Sequence, residues 1–146
     1  SVDMPMGRFT LDRAPGKVAF ISGGVGITPI RSICQYVKEM NFDKDIVLIY
    51  GNHRQGDIIF KEEFDEMAAG DLPLKVVHVL DQPLGEWSGY TGLISKDIIV
   101  KEIPDCPERT FFLCGPPKMV ECLSSLLQKE LSIAKERIII ENFSGY

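Results

Sequence analysis

Lys17-Val18-Ala19-Phe20-Ile21-Ser22-Gly23-Gly24-Val25-Gly26-Ile27-Thr28-Pro29 is an apolar run that ends in a glycine cluster just where a helical pattern begins. Such a junction is a place to hold a phosphate. Gly23, Gly24 and Gly26 lack β-carbons, so they reach backbone angles closed to other residues. They also let a pyrophosphate approach main-chain N–H groups at the positive end of a helix. Pro29 suits the first helical turn, where its missing N–H is not needed. The glycine spacing departs from G-x-G-x-x-G, and a glycine-rich strand-to-helix turn without any ligand is the alternative reading.

Outward from this junction, apolar strands and amphipathic segments alternate. Strands are expected at 18–22, 46–50, 74–80, 110–114 and 137–141, and helices at 30–40, 59–69, 95–101 and 117–131. Phe60, Phe64 and Met67 fall on one helical face, and Ser95 is placed to cap the third helix. Continuous apolar strands alternating with helices imply an α/β fold, a three-layer doubly wound parallel sheet. Five strands in the order 3-2-1-4-5 are expected. Ligands of such sheets bind at the carboxyl ends of the strands, where strand order reverses. Three strand ends carry suggestive chemistry: Ser22-Gly23-Gly24, Tyr50-Gly51-Asn52 and Cys114-Gly115-Pro116-Pro117.

The formal net charge is −5 and no Lys/Arg cluster occurs, which argues against a nucleic-acid partner. No apolar run is long enough to span a bilayer and no signal pattern opens the chain, so the expectation is a cytoplasmic protein without membrane insertion. Cys34, Cys106, Cys114 and Cys122 form no C-x-x-C pair and are accompanied by only two histidines, so no metal site is indicated.

The combination and order of these motifs resemble the pyridine-nucleotide-binding domain of the ferredoxin-NADP reductase superfamily, over almost the whole chain. Gly23-Gly24-Val25-Gly26-Ile27-Thr28-Pro29 is similar to that family's pyrophosphate loop. Cys114-Gly115-Pro116-Pro117-Lys118-Met119 resembles its C-G-P-x-x-M signature, and Trp87-Ser88-Gly89-Tyr90-Thr91-Gly92 its W-x-G-x-x-G segment. Met6-Gly7-Arg8-Phe9 resembles the end of a preceding flavin-binding barrel. Residues 1–15 therefore read as its tail or a linker, and 16–146 as an NAD(P)-binding domain, a piece of a larger flavoprotein.

The resemblance implies an NAD(P)H-dependent flavoprotein oxidoreductase. Hydride would pass from NAD or NADP in reduced form to FAD or FMN in a flavin-binding domain, in cis or in another chain. Electrons would then go to an iron–sulfur, haem or quinone-linked acceptor, while this chain alone would be an inactive cofactor-binding part. A non-catalytic dinucleotide-binding regulatory or assembly subunit is the alternative. By the same resemblance, Cys114 lies beside the nicotinamide with Thr28 across the pocket, as the catalytic pair. The alternative for Cys114 is a buried small residue closing its strand. Phe143, in the closing Glu141-Asn142-Phe143 segment, covers the flavin ring.

The turn after the second strand is expected to receive the adenine ribose, through Gly51, Asn52, Arg54 and Asp57. Arg54 would attract the 2′-phosphate of NADPH, and Asp57 would bond the ribose of NADH. Equally, Arg54 would be a solvated turn residue and Asp57 the cap of the following helix; these alternatives stay open, with a lean to NADH. Trp87 is expected to pack in its own loop rather than stack on adenine, leaving Tyr90 exposed. His78 is expected to be a satisfied core histidine, and Cys34, Cys106 and Cys122 to be packing or incidental surface residues.

Overall fold

The computed structural model describes residues 16–40, 44–70 and 73–142. The expected preceding-domain tail (1–15) and Phe143 lie outside the described residues. The chain alternates β1 (Lys17–Gly23), α1 (Ile27–Met40), β2 (Asp45–Asn52), α2 (Lys61–Ala69), β3 (Leu74–Leu80), β4 (Tyr90–Thr91), α3 (Lys96–Glu102), β5 (Thr110–Gly115), α4 (Pro117–Lys129) and β6 (Ile138–Asn142). All neighbouring strands pair parallel, in the order β4-β3-β2-β1-β5-β6.

Two cores sandwich the sheet. Val18, Phe20, Leu48 and Phe112 bury one face against Ile30, Ile33 and Val37 of α1 and Phe64 and Met67 of α2. Ala19, Ile21, Ile49 and Leu113 bury the other against Ile98 and Ile99 of α3 and Val120, Leu123 and Leu127 of α4. The continuous apolar runs of β1, β2 and β5 follow from this, because alternate side chains enter opposite cores and neither face meets water. The spacing of Ile27, Ile30, Ile33, Cys34 and Val37 gives α1 one apolar stripe. Ser95 caps α3 as expected, its side chain accepting from Ile98 N at 3.4 Å.

The sheet has six strands rather than the expected five. The order β3-β2-β1-β5-β6 is the expected one, and Tyr90–Thr91 adds a short edge strand through Val79↔Tyr90 and Leu80↔Thr91. Trp87 Nε1 donates to Tyr90 O at 2.9 Å, Gly92 N to Leu80 O at 2.9 Å, and the Tyr90 hydroxyl to Glu102. Tyr90 is therefore half-buried rather than exposed, while Trp87 does pack in its own loop. α1 begins at Ile27, three residues earlier than expected, because a 3-10 turn over Gly24–Gly26 runs straight into it. α2 begins late because Phe60 takes a left-handed conformation, φ 61° and ψ 26°. Asp57 does not cap α2; its carboxylate accepts from Arg54 N at 3.2 Å and closes the Gln55–Asp57 turn.

At the amino ends of the strands, Arg109 is almost fully buried. It donates to Val18 O (2.8 Å), Asp45 O (3.0 Å), Asp45 Oδ1 (3.0 Å) and Asp105 Oδ1 (2.8 Å). The Arg109 hydrogen bond is the main cause holding the Asp105 carboxyl down at about 2. Among the described residues, no helix is long and apolar enough to cross a membrane.

Candidate functional site

The chain leaves β1 towards β2, β3 and β4 on one side and returns to β5 beside β1. Strand order thus reverses between β1 and β5, and their carboxyl ends meet there. The two glycine loops are in contact at this point. A Cβ on Gly26 would stand 2.6 Å from Cys114 O, 2.8 Å from Cys114 C and 2.9 Å from Gly115 Cα, so the start of α1 lies directly on the end of β5. Only glycine allows that approach. Gly24 differs: its φ is +52° and a Cβ there would meet no atom within 4 Å. Substitution at Gly24 is therefore strained by its backbone, and it would put a side chain into the open space before the α1 N-terminus.

Two buried polar atoms at this edge make no hydrogen bond: Ser22 Oγ at the end of β1 and Asn52 Nδ2 at the end of β2. Buried polar groups without partners are uncommon and call for an explanation. A polar ligand lying across the carboxyl ends of β1 and β2 would supply one. Cys114, Ser22, Tyr50 and His78 occupy one register row across β5, β1, β2 and β3.

On the β2 side, the turn after Asn52 is fastened to the segment after β3. Asp81 N donates to Asn52 O (3.1 Å), Gln82 N to His53 O (2.8 Å), and His53 Nδ1 lies 2.7 Å from Asp81 Oδ1. Gln55 exchanges two hydrogen bonds with the Leu84 backbone, at 2.7 and 3.0 Å. Arg54 is exposed and makes no ion pair among the described residues. Phe60 follows, with the Arg31 guanidinium 4.5 Å above its ring and Arg31 Nε bonded to Glu63. A bulky side chain in the left-handed region costs about 1–3 kcal/mol and points to a functional constraint.

Residues 20–125 match the family model described as oxidoreductase NAD-binding domain. The chain belongs to that family. The expected likeness to the ferredoxin-NADP reductase superfamily is borne out by this match together with its solved neighbours. Over 152 residues this NAD-binding domain is 33% identical to a component polypeptide of the Na(+)-translocating NADH-quinone reductase of Neisseria meningitidis, covering 99% of the chain and 37% of that polypeptide. It also resembles the flavohemoglobin of Malassezia yamatoensis solved with FAD and heme: TM-score 0.79, 26% identity, 93% of this chain and 35% of that one. The cytochrome b5 reductase domain of Ulva prolifera nitrate reductase shares the fold, with a TM-score of 0.77 and 23% identity over 86% of this chain and 50% of that one. The domain thus spans little more than a third of the curated relative that it matches.

Within the NAD-binding domain, the expected loop residues Gly23, Gly24, Gly26 and exposed Thr28 stand at the switch point. Ile27 and Pro29 are buried and offer the site only their backbone. Gly51 is covered by Ile94, whose Cδ1 would lie 3.2 Å from a Cβ at that position. Met119 reaches between Gly23 and Gly115, and a Cβ on either would stand within 2.7 Å of its side chain, so it acts as a packing wedge. Pro116 and Pro117 are exposed at the start of α4. The Cys114 thiol is wholly buried in the α1-side core and does not open onto the surface. Like Ser22, its register neighbour, Cys114 is enclosed at the carboxyl end of its strand.

His78 is not the satisfied histidine expected: both ring nitrogens lack hydrogen bonds, and Asp65 Oδ1 is 3.9 Å away. Burial pushes its pKa down, opposed by Asp65 and helped by Lys61. Cys34 and Cys106 are buried and Cys122 is exposed, with burial pushing the Cys34 thiol up to about 12. Sequence reasoning placed Ser22 only within the Ser22-Gly23-Gly24 strand end and gave no sign that its hydroxyl would be buried without a partner. It also missed Phe60 and Arg31, which helical spacing disguised as ordinary helix positions. A groove of about 520 Å³ between α4 and β6, lined by Pro117, Val120, Ser124 and Ile140 among others, contains none of the glycines or unpaired polar atoms described above.

Proposed function

We propose that this domain is the NAD(P)H-binding part of a flavoprotein reductase. It would present a reduced dinucleotide to FAD or FMN held by a flavin-binding domain, in the same chain or another, with electrons passing on to an iron–sulfur, haem or quinone-linked acceptor. The observation that carries the reading is the unpaired Ser22 Oγ and Asn52 Nδ2 beside the glycine turn that opens α1. The orphan atoms, the open space at Gly24 and the helix N-terminus fit a phosphate-bridged dinucleotide lying across β1 and β2. When bound, the nicotinamide supplies hydride to the flavin.

The chain's own residues bind and orient. The α1 N-terminus and the backbone of the 24–26 turn receive the pyrophosphate. The turn carrying Asn52, Arg54 and Asp57 faces the adenosine side. Thr28 is the exposed group assigned to the nicotinamide side, and Cys114 shapes the floor beneath it from inside the core. Phe143 keeps its proposed place over the flavin.

Calorimetric titration of this chain with NADH should show binding, and an absorbance assay should show no NADH oxidation until a FAD-loaded flavin domain is added. No binding at about 1 mM ligand, only some 4 kcal/mol of affinity, would remove the site. Oxidation by the flavin-free chain would remove the division of labour. Cys114→Ser is close to isosteric and should fold. In the reconstituted reductase it should slow flavin reduction and leave NADH affinity within about twofold, the pattern of a group that matters mainly in the transition state. Flavin reduction at the wild-type rate would strike Cys114 from the site.

A further inference from the structure

Tyr50 ends the buried stretch of β2 and is fully inaccessible to solvent, yet its hydroxyl is engaged by both backbone polar groups of Ile59 and also interacts with the Asn52 side chain. It donates to Ile59 O at 3.2 Å and accepts from Ile59 N at 3.0 Å. The loop that leaves β2 after Asn52 is thus brought back to β2 at the residue just before the left-handed Phe60. The Tyr50 ring is itself held by Phe64, edge-on at 6.3 Å, and by His78 at 5.9 Å. Phe60 is fixed from its other side by Arg31, whose guanidinium covers the ring and is tied to Glu63. A strained conformation persists only where its surroundings over-determine it, and here a buried phenol sets the backbone while an anchored guanidinium sets the ring.

We infer that Tyr50 is a positioning residue for the adenosine half of the dinucleotide: its buried hydroxyl closes the 52–60 loop into the shape that receives the adenosine at the carboxyl end of β2. The inference rests on the nucleotide reading above. Tyr50 touches no ligand itself; it acts through the Ile59 peptide on Phe60 and the turn bearing Arg54, and through its hydroxyl on the Asn52 side chain. Without the hydroxyl, both polar groups of Ile59 turn to water and the loop loosens.

The test is Tyr50→Phe, which keeps the ring in the core and deletes only the hydroxyl. AMP and inorganic pyrophosphate are titrated separately into the wild-type chain and the variant by NMR, with thermal melts alongside. AMP should bind about fivefold more weakly to the variant, the scale of one lost hydrogen bond, while pyrophosphate, which engages only the glycine turn, keeps its affinity. Hydrogen exchange should accelerate at Ile59 and Phe60 but not at the β2 amides. Equal weakening of both ligands with a lowered Tm would make Tyr50 a purely structural residue and overturn the inference. So would unchanged AMP affinity while the Ile59 amide exchanges freely. Failure of the wild-type chain to bind either probe would overturn the nucleotide reading, and this inference with it.

Discussion

Gly26→Ala should cost the domain about 3 kcal/mol of stability, at the upper end of overpacking, and should lower its NADH affinity by at least tenfold, about 1.4 kcal/mol. The added methyl would stand 2.6 Å from Cys114 O and 2.9 Å from Gly115 Cα. Both atoms are backbone of β5, which is pinned between β1 and β6, so the strand cannot give way. The first turn of α1 must retreat instead, carrying the N–H groups that face the pyrophosphate away from the strand end. Gly56→Ala is the control: nothing lies within 4 Å of a Cβ there, and its stability should stay within about 0.5 kcal/mol of wild type. Urea unfolding and NADH titration of the two variants check this. A Gly26→Ala protein with unaltered unfolding midpoint and affinity would mean that α1 does not lie against β5 as described.

The central sheet was legible because burial on both faces leaves a signature that needs no long-range information. Runs such as Val18-Ala19-Phe20-Ile21 have few other ways to hide from water. The glycine loops were legible for a similar reason, since glycines at a strand end imply a backbone demand that other residues cannot meet. What escaped depends on contacts between distant parts of the chain. β4 is only two residues long, and its place is set by Trp87, Glu102 and Leu80 rather than by its own pattern. Phe60 keeps helical spacing with Phe64 and Met67, but spacing does not report φ, and its left-handed backbone was invisible. Cys114 was placed correctly at the end of its strand, while the cover provided by α1 depends on how closely Gly26 approaches β5. Asp57 read equally well as a helix cap or a ribose ligand, and in place of the cap the structure has it close its own turn.

Arg109→Met should destabilise the domain by about 3 kcal/mol at neutral pH, from the loss of several charge-assisted hydrogen bonds around a buried guanidinium. In a chain of this length that corresponds to a Tm lowered by about 10 °C. A single arginine ahead of an apolar run looks like a surface residue. Folding brings it Val18 O from 91 residues away and Asp45 from 64. The carbonyls of Val18 and Asp45 lose their donor in the variant. The carboxylates suffer less, because the Asp45 and Asp105 side chains keep 54% and 24% exposure and can be solvated in part. That moderates the expected loss below what a sealed ion pair would show.

The effect should also depend on pH in a definite direction. Asp105 is shifted down from 3.8 to about 2, first by the Arg109 hydrogen bond. Its contribution is therefore fully present above pH 3.8 and is lost as pH falls through about 2. The stability gap between wild type and Arg109→Met should accordingly be constant from neutral pH to about 4 and narrow below it. NADH affinity of the folded variant should be unchanged, because Arg109 ties the amino ends of the strands while the dinucleotide site lies at their carboxyl ends. Urea midpoints across this pH range, with NADH titration at neutral pH, separate the two ends of the sheet. A gap that does not narrow in acid would detach Asp105 from Arg109, and weakened NADH binding would show that the two ends are coupled.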